Sequence, residues 1–141
     1  MPTHLQNPVS RQVRVLGGIS EVEATAWDAL VPGDNPFLEH GFLLGLERSG
    51  SASAAQSWVP MHLLVEEAGA VIAALPLYLR GDSYGEYIFD WAWANGARRA
   101  GIPYYPKLTT AVPFTPSSTG RLLGDPTALP LVTQAVAALA D

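Results

Sequence analysis

Two acidic residues set among aromatic rings are the first feature of this sequence that could do chemistry. They lie in the run Tyr84-Gly85-Glu86-Tyr87-Ile88-Phe89-Asp90-Trp91-Ala92-Trp93. Rings desolvate a neighbouring carboxyl, which can raise its pKa and make it a general base towards an amine. Left ionised, Glu86 or Asp90 could instead hold that amine by charge, with Tyr87 and Trp91 as the binding surface beside it. The plainer alternative is that Asp90 caps a following helix and the rings fill the core. A second group is Tyr104-Tyr105-Pro106-Lys107. Its lysine, the only one in the chain, could meet a phosphate or carboxylate while the phenols add hydrogen bonds. Equally, it could be a solvated lysine on a strand edge. Third comes Val112-Pro113-Phe114-Thr115-Pro116 followed by Gly120-Arg121, a stiff extended stretch that could line a groove with Arg121 facing an anion. An ordinary rigid connection explains it as well.

The composition excludes other chemistries. There is no cysteine, so disulfides, thiolate catalysis and Cys-based zinc sites are ruled out. His4, His40 and His62 have no metal-ligand spacing, and no metal site is expected. Nucleophile-elbow, Walker and dinucleotide-binding motifs are absent. The formal net charge is −5, from 8 basic and 13 acidic residues. The basic residues are scattered, so the electrostatic footprint of DNA binding is missing. A hydrophobic fraction of 48% excludes disorder, while only 15% charged residues suggests apolar surface that something else covers. The polar stretch Met1–Ser10 lacks the apolar core of a secretion signal, and no apolar run is long enough to span a bilayer. A cytoplasmic location is therefore expected.

Elements must position these residues. Residues 1–11 read as a flexible leader and 12–141 as one domain. Gln12–Leu16 alternates as a strand does. Ser20 and Glu23 have capping-box spacing ahead of a helix from Glu21 to Leu30, and a second helix is expected over Leu38–Arg48. Ser51–Ser57 reads as a loop. Met61–Val65, the turn Glu67-Ala68-Gly69 and the apolar run Ala70–Leu79 form a hairpin whose second strand is covered on both faces. Pro76 interrupts that run, predicting a bulge or a strand separation. A helix over Phe89–Arg99, a strand over Lys107–Val112, a loop over Thr115–Pro126 and a helix over Leu129–Ala140 complete the chain. The last helix has no stop signal.

Taken together, Pro36–Leu43, Leu75–Leu79, Ser83–Trp93, Tyr104–Leu108 and Ala111–Pro116 resemble the FemAB-like bacterial proteins of peptidoglycan biosynthesis or recognition, within the GNAT acyltransferase superfamily. The resemblance runs from Gln12 onwards. It implies an α+β fold with a twisted, mostly antiparallel GNAT-like sheet, helices on both faces, and a tandem of two such domains. Residues 12–141 would then be the N-terminal domain, and a C-terminal GNAT-like domain its missing partner. The implied reaction is transfer of an acyl or aminoacyl group, from acyl-CoA or aminoacyl-tRNA, to the amine of a peptidoglycan precursor or another small acceptor. On that reading Glu86 and Asp90 position or deprotonate the amine, Lys107 and Arg121 contact anions, and Tyr104 and Tyr105 hydrogen-bond. The pyrophosphate loop of catalytic GNAT domains is absent. That leaves open a non-catalytic substrate-binding or scaffold half, or a folded core without function.

Overall fold

In the computed structural model, residues 10–86, 90–117 and 120–141 are described. The leader 1–9 and Tyr87 lie outside them. The first strand, β1 (Arg11–Leu16), starts at the last residue assigned to the leader. It pairs antiparallel with β3 (His62–Glu67), which pairs with β4 (Ala70–Leu75), which in turn pairs with β7 (Leu123–Gly124). The β3–β4 turn is Ala68-Gly69, both at positive φ (50° and 79°), as a tight two-residue hairpin demands.

Helices cover both faces of this sheet, so the buried run His62–Val65 need not alternate in polarity. On one face Leu16, Leu64, Ala74 and Leu123 pack with Trp27 of α1 (Ala24–Asp28) and Leu43 of α2 (His40–Arg48). On the other, Leu63, Val65, Ala73 and Leu75 pack with Val132 of α4 (Leu129–Ala140). The α+β class and the two helical layers match the expectation from sequence.

The long apolar run divides at Pro76. Beyond it, β5 (Tyr78–Arg80) joins a second antiparallel sheet between β2 (Val59–Pro60) and β6 (Lys107–Thr109). Leu77, just past the break, donates its N–H to His62 Nδ1 at 3.1 Å, while its carbonyl accepts from Met61. A side chain thus takes a bond the ladder would have made, and the two sheets separate at the proline.

Several local expectations are corrected. No Ser20–Glu23 capping box forms. A 3-10 turn over Ile19–Glu21 intervenes and α1 begins only at Ala24. Distant carboxylates serve these backbone N–H groups instead: Glu47 accepts from Ile19 at 3.0 Å, and Asp28 accepts from His40 at the start of α2 at 2.7 Å. The Lys107–Val112 strand shrinks to Lys107–Thr109, and Thr115–Pro126 hides β7. There Gly124 (φ +84°) comes so close that a Cβ would sit 2.3 Å from the Ile72 carbonyl. The last helix occupies the expected span.

Candidate active site

Where β5 leaves the second sheet, the chain carries Arg80 into a loop holding three carboxylates four residues apart: Asp82, Glu86 and Asp90. Arg80 closes an apolar strand and its side chain is fully buried, so its charge must be matched inside the protein. It donates to the Ser57 and Tyr84 carbonyls, to Asp82 at 3.1 Å and to Glu86 at 2.6 Å. Its guanidinium lies 3.6 Å over the Trp58 ring.

Lys107, at the start of β6, reaches into the same loop. Its ammonium donates to Ser83 Oγ at 2.9 Å, Glu86 Oε1 at 3.0 Å and Asp90 Oδ2 at 2.7 Å. Three acceptors use all three protons of an ammonium. Tyr104 donates its phenol to the same Asp90 oxygen, and the Tyr105 hydroxyl lies 2.5 Å from Ser83 Oγ. The loop is thus tied to β6 through one continuous network.

The electrostatics of Asp90 run opposite to those of a carboxyl raised by desolvation alone. Burial pushes the Asp90 carboxyl up, but the Lys107 ammonium and the hydroxyls of Ser83 and Tyr104 outweigh it and hold the group well below its ordinary range. Asp90 is therefore a poor proton acceptor and a fixed negative charge. The bond to Asp90 in turn pushes the Tyr104 phenol up to about 12, so it stays a donor. Asp90 does sit at the N-terminus of α3 (Trp91–Arg99), but its side chain makes no capping bond there. No residue of α3 is buried, and Tyr84 (68% exposed) and Trp93 (77% exposed) stand at the surface rather than in the core.

Two concavities flank the network. One, about 390 Å³, is lined by Glu86, Thr109, Thr110, Thr115, Ser117 and Arg121 among others. Arg121 thus shares a cleft with Glu86 but not the ion network. It donates to Ser117, meets no carboxylate among the described residues, and burial pulls its guanidinium pKa down. The second is lined by Trp91, Tyr104 and Tyr105 among others.

Of the residues singled out from sequence, the structure brings together Glu86, Asp90, Tyr104, Tyr105 and Lys107. Trp91 stands at the edge and Arg121 in the adjoining cleft. Arg80 and Ser83 were missed. The legible signal for Arg80 was an arginine ending an apolar strand with acids following at two and six residues. Ser83 gave none. Among the described residues no cluster of His, Asp and Glu could hold a metal, and no helix is long and apolar enough to cross a membrane.

Comparison with known proteins identifies a family. No curated protein and no solved structure is detectably similar. A family model described as FemAB-like, peptidoglycan biosynthesis/recognition, aligns with residues 18–140, which take in the first sheet except β1, the second sheet, the ion network and both concavities. The chain therefore belongs to the FemAB-like family of peptidoglycan biosynthesis or recognition.

Proposed function

We propose that this domain binds an amine-bearing peptidoglycan precursor in the Glu86–Arg121 cleft and presents its amine for acyl or aminoacyl transfer. The observation that carries this reading is the charge balance beside the cleft. Among the described residues Asp82, Glu86 and Asp90 form ion pairs with Arg80 and Lys107 alone, and the member of this set that lines the cleft is a carboxylate. Each oxygen of Glu86 already accepts one bond but retains a second lone pair. An incoming ammonium would therefore find an acceptor inside a cluster that carries one excess negative charge. Asp90 Oδ1, buried and without a donor among the described residues, adds to that deficit of positive charge. Across the cleft, Arg121 suits a carboxylate of the same ligand, and the threonine hydroxyls suit its amides.

The depressed pKa of Asp90 favours positioning over proton transfer, because a strongly stabilised carboxylate is a weak base. Acceptor binding is therefore the role assigned to these residues. The donor, acyl-CoA or aminoacyl-tRNA, would be supplied to the presented amine. A substrate-binding half without chemistry of its own is the second reading, favoured by the full occupation of the Lys107 ammonium.

The test is thermal unfolding with a muramyl peptide carrying a free side-chain amine, against the same peptide N-acetylated. At ~100-fold its dissociation constant the free amine should add about 2.7 kcal/mol of stability. N-acetylation should weaken binding at least about tenfold, as should Arg121→Met. Equal binding of both peptides, or of neither, refutes the proposal. Mass analysis of the peptide after incubation with each donor then separates transfer from binding alone.

A further inference from the structure

Phe114 holds a backbone conformation that its side chain does not favour. Its φ is +57°, in the left-handed region where a bulky residue is a steric outlier. The cause is local. Thr115 donates its N–H to the Val112 carbonyl at 3.2 Å, closing a β-turn with Pro113 second and Phe114 third. Proline fixes a negative φ at the second position, so a positive φ at the third makes this a type II turn, whose third residue is ordinarily glycine. Burial does not account for a phenylalanine there either, because the residue is 43% exposed. Backbone strain of this kind clusters at functional sites and persists where the surroundings hold it in place.

The contacts of the ring are specific. It lies against the α-carbon of Gly85, where an added Cβ would sit 2.5, 2.8 and 3.0 Å from three ring carbons. The Phe114 N–H also donates to the Gly85 carbonyl at 3.0 Å, so backbone and ring grip the same residue. The ring meets the buried Trp58 at 5.9 Å, the indole that carries the Arg80 guanidinium. Arg80 in turn anchors the residues on either side of Gly85, donating to the Tyr84 carbonyl and to the Glu86 carboxylate. Phe114 supplies the hold on the residue between them. Phe114 itself lines a separate hollow with Ser49, Gly50, Ser51 and Gln56, while Gly85 and Glu86 line the cleft. The ring therefore acts on the cleft through Gly85.

We infer that Phe114 is a positioning residue: its ring clamps Gly85 and so sets the Glu86 carboxylate at the wall of the cleft. A glycine at position 114 would satisfy the turn without strain. It would also release Gly85, which has no side chain and a φ of +83°, to carry Glu86 away from Lys107. Fixing the carboxylate in advance favours binding, because a ligand that must order its own partner binds more weakly. The consequence for amine binding rests on the cleft reading, whereas the clamp itself does not.

The test uses the full chain and the signal of a single group. Lys107 is the only lysine, so isotopic labelling of lysine nitrogen gives one ammonium resonance, from a group that donates to Glu86 Oε1 at 3.0 Å. Phe114→Gly should shift that resonance and speed exchange of its protons with water, while circular dichroism shows the fold kept. Phe114→Asn, which also tolerates a positive φ, should do the same. Phe114→Tyr keeps the ring and should restore the wild-type resonance. Preference for the free-amine muramyl peptide over its N-acetylated form should fall about tenfold in Phe114→Gly, the worth of one charge-assisted hydrogen bond. A resonance unmoved by Phe114→Gly and Phe114→Asn, or moved as much by Phe114→Tyr, overturns the clamp. So does an amine preference that survives loss of the ring. If the resonance stays put while the wild-type chain prefers the free amine, the clamp fails and the cleft reading stands. If the resonance moves as expected while the wild-type chain binds both peptides alike, the cleft reading fails and the clamp stands.

Discussion

Replacing Arg80 with methionine separates a network that organises the site from one that merely decorates it. Methionine keeps an unbranched apolar stem against Trp58 and removes only the guanidinium. What is lost follows from the partners. Asp82 is 40% exposed and can turn to water, so its loss is small. Glu86 is 12% exposed and would keep Lys107 alone, while the Ser57 and Tyr84 carbonyls would lose a charged donor. Removing one partner of a buried ion pair costs about 3–5 kcal/mol, largely the penalty of the charge left behind. We expect about 4 kcal/mol here, a large share of the roughly 5–15 kcal/mol that holds a domain together. The melting temperature should fall by roughly 10–15 °C. The assay is urea unfolding at neutral pH, followed by circular dichroism and tryptophan fluorescence, with an unchanged slope against denaturant. Adding Glu86→Gln should cost less in the Arg80→Met background than alone, with a coupling of roughly 1–3 kcal/mol. A loss below about 1 kcal/mol, or strict additivity, would refute the premise that this arginine anchors the loop.

The Asp90 pKa is depressed on folding, so its contribution is present above its ordinary value of 3.8 and lost as pH falls below it. Asp90→Asn should therefore flatten the acid limb of the stability profile measured by denaturant unfolding. Tyr104 is shifted the other way. Its contribution is complete below its ordinary 10.0 and lost as pH rises through about 12, and Tyr104→Phe should remove that alkaline limb. Gly124→Ala, at φ +84° and with the Ile72 carbonyl 2.3 Å from the new Cβ, should cost at least about 2 kcal/mol in urea unfolding. Gly101→Ala, at φ +72° in open space, should cost only about 1 kcal/mol in the same assay.

The helices and strands that can be read from sequence are those whose burial pattern is local. The apolar face of Leu129–Ala140, the alternation of Gln12–Leu16 and the proline that interrupts Ala70–Leu79 each encode their element within a dozen residues. The aromatic and charged runs likewise identified most of the network, because buried charge is rare enough to stand out where it clusters with rings. Only the tertiary structure decided the rest. How Asp90 ionises depends on a lysine seventeen residues away, and whether a helix start would be capped depended on Glu47 and Asp28 arriving from other elements. The two-residue strand β7 carries no periodicity of its own and exists because Gly124 lets two backbones meet. Composition and spacing report what a residue can do within its own segment, but pKa, capping and edge pairing are set by neighbours distant in sequence.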